Sequence, residues 1–337
     1  MDARFPLLKL PEKACRRVVQ VMDTHEILGF SLITKKCKDF TISLKIKAEY
    51  LSVSIGNKIS ISLLTTHDSI YLNFYTEPRL YWIIETDGQK KTLKPPESVV
   101  VDLFSREDLK WKNTKDFGMK EWLEHIHTVF DFHNINRIIF EQNASCFDID
   151  YVKETFRNAE GLSVYHSGSY EYNESILKKL LPTECLFIEV NAFPDSKIPS
   201  TTLIQNFESL EIKYQEVGLK FASLDELLMI NSKFIHISTY QNPSRILNKF
   251  IKLWKNGANS RMKRFEIIYR NGSETDSNVV FNGIGYDEVP KERLLESNPK
   301  NLVNKGFDIY RTDGTKAMIR LEYTNLHGGL SRFRMML

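Results

Sequence analysis

The sequence predicts a chain of mixed class, α+β passing into α/β. A small helical module comes first, then a β-rich segment, a repeating strand–helix array and a C-terminal β-hairpin region. Three observations lead there. Apolar residues recur at helical spacing up to about residue 40, alternate from about residue 42, and from residue 138 return as short strands at a near-constant interval. The 337 residues amount to about two domains at roughly 150 residues each. Ordinary globular proportions, 42% hydrophobic and 26% charged, exclude a collagen-like, mucin-like or wholly disordered chain. A net charge of +3 gives no whole-protein field for steering toward nucleic acid or anionic membrane. With 21 Phe and only 15 Gly, the chain has ample core material and few loops that could cradle phosphate.

The helical module spans residues 1–44. Leu10-Pro11-Glu12 sets proline at a helix start, where its missing N–H costs nothing. Val18, Val19 and Met22 follow at helical spacing. Asp23-Thr24-His25-Glu26 marks a second start, with either Asp23 or Thr24 as the cap and Glu26 in the first turn. Ile27, Leu28, Ser31, Leu32 and Lys35 continue that helix, and Phe40 closes the apolar set. So short a module buries little surface by itself and needs a partner, either the rest of the chain or another protein.

Over 45–136 the period is two. The alternation begins at Ile42, Leu44 and Ile46, continues through Leu51–Ile55 and Ile59–Leu63 around a Gly56-Asn57 turn, and adds strands at Ile70–Tyr75, Tyr81–Glu85 and Val99–Leu103. Asp87-Gly88 reads as a further turn. A helix is expected from Met119 to Phe132, burying Trp122, Ile126, Val129 and Phe130. Over 137–275 strands at Ile138, Leu162, Leu186, Leu210, Ile235 and Phe265 start 24, 24, 24, 25 and 30 residues apart, with helix-compatible stretches between them. That period is leucine-rich-repeat-like, although the strict repeat signature is absent; an ordinary α/β domain is the alternative. Pro243–Lys255 is the clearest amphipath, with Leu247, Phe250, Ile251 and Trp254 on one stripe, Arg245, Lys249 and Lys252 on the other, and Gly257 as its stop. The tail, 276–337, returns to period two at Val279–Phe281, Phe307–Tyr310, Ala317–Leu321 and Phe333–Leu337, with a turn at Asp313-Gly314.

Cys15, Cys37, Cys146 and Cys185 are scattered, which fits free thiols in a reducing compartment. No signal-like run opens the chain, and no segment approaches the roughly 20 apolar residues of a membrane span. The expectation is an intracellular protein, cytoplasmic or nuclear, whose sequons at Asn143, Asn173 and Asn271 stay unmodified. No catalytic constellation assembles. His125 and His127 lack the i, i+4 spacing of a helical zinc site, Gly283-Ile-Gly285 lacks a third glycine and a following helix, and Asp313-Gly314-Thr315 is a hairpin turn. The sequence therefore argues against an enzyme and calls for no cofactor and no metal.

The stretch Phe5-Pro-Leu-Leu-Lys-Leu-Pro-Glu12, with Val18, Val19 and Met22, His25-Glu-Ile-Leu28 and Phe30-Ser-Leu-Ile-Thr-Lys-Lys36, resembles an F-box. It looks most like the large nematode families in which the F-box precedes an F-box-associated domain, type 2. Two further stretches carry that second resemblance: Asn242-Pro-Ser-Arg-Ile-Leu-Asn-Lys-Phe-Ile-Lys-Leu-Trp254 with its continuation to Met262, and Gly306-Phe-Asp-Ile-Tyr-Arg-Thr-Asp-Gly-Thr-Lys-Ala317. The resemblance implies a non-catalytic substrate-recognition subunit of a Skp–cullin–F-box ubiquitin ligase. The F-box would bind the Skp-family adaptor, and through it a cullin–RING ligase. The later domain would select an unidentified protein for ubiquitination and proteasomal degradation.

For adaptor binding the expected residues are Pro6, Leu7, Leu10, Pro11, Val18, Met22, Ile27, Leu28, Ser31 and Lys35. Each apolar member would supply roughly 1.5–3 kcal/mol where fully buried, and some must instead fill the module's own interior. For substrate binding, the strand alternation that turns Leu210 and Ile212 inward leaves Glu211 and Lys213 on an open face. The same register expects Ile139, Ser163, Phe187, Glu189, His236, Glu266 and Ile268 there. The alternatives are an interaction scaffold without ligase engagement and a nucleic-acid-binding module using the basic helix and its continuation over 245–264.

Overall fold

The computed structural model describes residues 7–66, 68–75, 95–103, 108–113, 115–181, 183–214, 222–270, 272–273, 275–290, 293–294, 305–323 and 330–337. Pro6, the strand expected at Tyr81–Glu85, the turn at Asp87-Gly88 and the sequon at Asn271 lie outside them. The chain is a mixed α/β protein whose described residues form ten α-helices and fifteen strands. Two compact units divide it, one of residues 1–162 and 167–175, the other of residues 163–166 and 176–337. Among the described residues no helix is long and apolar enough to cross a membrane.

The first unit opens with a 3-10 turn, Leu7–Lys9, and the helices α1 (Glu12–Gln20), α2 (Thr24–Ile33) and α3 (Lys35–Ser43). Pro11 sits at the N-cap of α1. Glu26 accepts from the Asp23 N–H at 3.0 Å, the capping-box contact that starts α2. Thr34 then ends α2 and caps α3, its Oγ1 accepting from the Cys37 N–H at 3.1 Å, so Lys35 belongs to a third helix rather than to the second. The strand expected from Ile42 does not form. The alternation of Ile42, Leu44 and Ile46 is the last turn of α3 followed by a left-handed Lys45 at φ 55°, three apolar residues being too few to separate the two periods.

The strands β1 (Ala48–Ile55), β2 (Ile59–Thr65), β3 (Ser69–Tyr75), β4 (Ser98–Asp102) and β5 (Leu109–Lys112) follow. They are succeeded by α4 (Met119–Val129), β6 (Ile135–Phe140) and α5 (Ile149–Thr155). Strands β1 to β5 form an antiparallel meander, and β6 adds to β1 in parallel. Helix α4 ends at Val129, one turn short of the expected Phe132, and buries Trp122, Ile126, Val129 and the following Phe130. Strand β7 (Ala159–Val164) and helix α6 (Tyr170–Leu180) are divided between the two units.

The second unit alternates β8 (Cys185–Glu189), α7 (Ser200–Leu203), β9 (Ser209–Lys213), α8 (Leu224–Met229), β10 (Phe234–Thr239), α9 (Ser244–Lys255) and β11 (Arg264–Arg270). Then come α10 (Asp276–Val280), β12 (Asp287–Glu288), β13 (Lys305–Tyr310), β14 (Lys316–Tyr323) and β15 (Leu330–Met336). Strands β8, β9, β10 and β11 pair in parallel, each step crossing over through a helix, as parallel pairing requires. The chain then doubles back. Strand β15 pairs antiparallel with β11, followed outward by β14, β13 and β12.

One face of this sheet is apolar. Phe265, Ile267, Phe333, Met335, Ile319 and Leu321 are buried on it, and the Phe265 ring meets Phe250 of α9 at 4.9 Å and Phe333 at 5.9 Å. Helix α9 stops at Gly257, whose φ of 106° a side chain would strain. Gly257 and Ala258 donate back to the Trp254 and Leu253 carbonyls, closing a Schellman motif. Arg311 ties the β13–β14 hairpin to this end: its guanidinium lies 5.3 Å from the Trp254 ring centre and donates to the Ala258 carbonyl at 2.7 Å. Val279–Phe281, expected as a strand, is the end of α10. The Asp276 carboxylate accepts from Ser273 N–H and Tyr269 O–H at that helix's start, and the Asn248 amide holds the Val280 carbonyl at its end.

Phe265→Ala would remove a fully buried ring with two aromatic neighbours. It should destabilise the protein by about 3–5 kcal/mol, read as a lowered urea midpoint.

Candidate functional site

The N-terminal helices sort the expected adaptor residues into two groups. Ile27, Leu28 and Ser31 lie inside the unit with no exposed surface, so they cannot meet a partner as the sequence reading expected. The reason is the environment of α2. Its Ser31 Oγ donates to the Leu28 carbonyl at 2.7 Å and lies 2.8 Å from His125 Nε2 of α4. Thr24, at its other end, bonds Thr65 and Asp68 beside β2. A helix bound along one side to α4 and β2 has only its remaining surface for others. Leu7, Leu10 and Met22 are half-buried, and Pro11, Val18 and Lys35 are exposed.

Two residues absent from the expected set are far more exposed than Val18, at 37%: Val21, at 83%, and Ile33, at 66%. Ala14, Val18 and Val21 recur at helical spacing on the side of α1 away from buried Cys15 and Val19. The detectable signal was the position of Val21 and Ile33 at helix ends, just before Met22-Asp23 and Thr34.

His125 is the chemically distinctive group here. Burial, with Lys38 and Lys115 nearby, pushes its imidazole down to about 4. It is the hydrogen-bonded joint between α2 and α4, a residue type that the sequence reading weighed only as a metal ligand.

The open face of the second unit holds Phe187, Glu189, Glu211, Lys213, His236, Glu266 and Ile268 in register across β8 to β11. Glu211, Lys213, His236 and Ile268 are half-buried, whereas Phe187, Glu189 and Glu266 are buried. Full exposure, expected for all of them, is corrected by their neighbours on the face. Phe187 stacks on Tyr165 at 4.9 Å, Lys213 lies 3.5 Å from Glu189, and Glu266 is enclosed by Arg264, Arg332 and Arg334. Ser163 is buried, and Ile139, which belongs to the first unit, is half-buried. Phe234, 41% exposed, shares the parity of His236 and pairs across to Arg264.

The electrostatics of this face divide along the sheet. Burial alone would raise the Glu266 carboxyl, but hydrogen bonds and charge from Arg334 and Arg264 hold it below the ordinary carboxylate range. Glu189 goes the other way, burial raising it more than Lys213 lowers it. Among the described residues of this face, no acid–base pair, nucleophile or ligand set converges. Side chains mixing aromatic, aliphatic and charged groups on a rigid sheet suit contact with another macromolecule.

Residues 198–267, from the start of α7 into β11, match the family model described as F-box associated. Along 320 residues, 93% of this chain and 92% of its relative, the sequence is 25% identical to the F-box associated domain-containing protein sdz-33 of Caenorhabditis elegans. By both comparisons the chain is similar to F-box-associated proteins, the second of them from a nematode. No solved structure matches it.

The His125 environment sets a pH dependence. Its folded pKa lies below the ordinary 6.5, so the unfolded chain takes up a proton that the folded chain refuses. The contribution of His125 to stability is complete above about pH 6.5 and falls by about 1.4 kcal/mol per pH unit down to about pH 4. Urea midpoints of wild type and His125→Gln across that window should differ in slope by one proton.

Proposed function

We propose that this chain is the non-catalytic substrate-recognition subunit of a Skp–cullin–F-box ubiquitin ligase, working inside the cell in cytoplasm or nucleus. Residues 1–44 act as the F-box that binds a Skp-family adaptor. The strand–helix units over 137–275, leucine-rich-repeat-like in their spacing, form the F-box-associated domain that holds the target protein. The observation that carries this reading is the apolar surface of the N-terminal helices in a chain whose 198–267 match an F-box-associated model. Val21 and Ile33 stand in water, with Val18 and Pro11 exposed as well and Leu7, Leu10 and Met22 partly so. Side chains so placed gain by covering one another's apolar area only when a partner arrives. Ile27, Leu28 and Ser31 contribute by holding α2 against α4 and not by contact with the adaptor.

Co-purification from cells tests this directly. Full-length wild type should retain the Skp-family adaptor, and Val21→Asp with Ile33→Asp should retain roughly tenfold less or none, as expected for loss of anchoring residues. A wild-type chain that brings down no adaptor would favour an interaction scaffold with no ligase engagement, and a double variant that brings down as much adaptor as wild type would overturn the assignment of the contact to Val21 and Ile33.

A further inference from the structure

Beyond β11 the open face of the second unit changes character. Register brings Glu266 of β11 beside Arg334 of β15 and Arg320 of β14, and Ile268 beside Arg332 and Glu322. At the far side Asp308 of β13 takes a bidentate pair from Arg293, at 2.7 and 3.0 Å, and the Lys316 ammonium at 2.8 Å. Arg332 reaches both Glu266 and Glu322, at 3.1 and 3.3 Å. Among the described residues of this strip, six cations thus surround three carboxylates.

The two signs sit at different depths. The carboxylate side chains of Glu266, Glu322 and Asp308 are 7–8% exposed, and Arg334 and Arg320 are deep beside them, whereas Arg264, Lys316, Arg293 and Arg332 are 46%, 43%, 42% and 29% exposed. The carboxylates lie on the floor and pair with the charged ends of the long side chains, which for Arg264, Lys316 and Arg293 keep part of their surface in water. A ligand approaching the strip therefore meets positive charge, although the whole chain carries only +3.

We propose that this strip, across β11, β15, β14 and β13, docks an acidic peptide segment of the bound protein. The inference deepens the substrate half of the reading above and rests on it. Charge complementarity identifies the occupant. Guanidinium groups grip carboxylates through two parallel hydrogen bonds, and Arg264 and Arg332 keep 46% and 29% of their side-chain surface in water. The exposed ring of Phe234 and the half-buried Ile268 flank the arginines, giving a peptide apolar contacts that a sugar–phosphate backbone does not use. Four neighbouring strands span only roughly 14 Å. Past β10, on β9 and β8, Glu211 and Glu189 outnumber Lys213. A long polyanion laid across the sheet would meet those carboxylates, whereas a short acidic segment would not.

The test uses the full-length chain and short fluorescein-labelled peptides of alternating glutamate and alanine, with glutamine and lysine twins, read by fluorescence anisotropy. The glutamate peptide should bind, weaken with added salt, and exceed both twins by about tenfold or more. Arg264→Gln with Lys316→Gln removes exposed charge yet leaves Glu266 with Arg332 and Arg334, and Asp308 with Arg293. That variant should keep the wild-type melting curve and bind the glutamate peptide about tenfold more weakly. Lys249→Gln with Lys252→Gln on α9 should bind as wild type does. Equal binding of the glutamate and glutamine peptides, undiminished binding by the strip variant, or tighter binding of a single-stranded oligothymidylate would overturn the proposal. Adaptor co-purification run on the same strip variant separates the two readings. Retained adaptor with no acidic-peptide binding sinks only this one, and lost adaptor binding by wild type sinks the ligase reading.

Discussion

The packing of α9 against β11 and β15, through Phe250, Phe265 and Phe333, is the interaction on which the second unit depends. It joins the parallel part of the sheet, β8 to β11, to the antiparallel part, β15 to β12, over a shared apolar layer. Parallel sheets are ordinarily covered on both faces by their crossover helices. Here α7, α8 and α9 carry the crossovers of β8 to β11, and the alternating burial of β9 and β10 shows one layer covered and the other only partly so.

That one-sidedness explains the polar chemistry of the other face. A carboxylate such as Glu266, crowded by neighbouring strands yet not in an apolar core, is stable because several cations share it and supply charge-assisted hydrogen bonds. The same arrangement makes removal of one exposed cation tolerable and removal of the carboxylate costly, since the arginines would then repel one another. A structural role thus falls to the buried members of this charge network, and the proposed ligand-facing role to its exposed ones.

The N-terminal helices follow a similar division. A module too small for a core of its own obtains one from the first unit, through Ile27, Leu28 and the Ser31–His125 hydrogen bond. What it leaves in water, Val21 and Ile33 foremost, is apolar surface that its own packing has no means to cover. The requirement for a partner, evident from the module's length, is met twice over: once by the chain itself, and again at the surface proposed for the adaptor.

Much of this was legible in the residues. Period-two alternation placed β1 to β4 and the C-terminal strands, and the return of apolar triplets every 24 or 25 residues placed β6 to β10 with helices between them. Such patterns survive because side-chain direction follows backbone geometry locally. Where only three apolar residues carried the signal, at Ile42–Ile46 and Val279–Phe281, the pattern was ambiguous, and partners distant in sequence made the difference: Asn248 and Tyr269 hold α10 across more than one element. Sequence alone determined which residues share a face of each strand and that the chain opens with a helical module needing a partner. Only the tertiary structure decided that β15 returns beside β11, bringing Arg332 and Arg334 onto Glu266, and that α2 turns Ile27, Leu28 and Ser31 inward while Val21 and Ile33 face water. Those outcomes depend on contacts between residues tens of positions apart, which no local periodicity encodes.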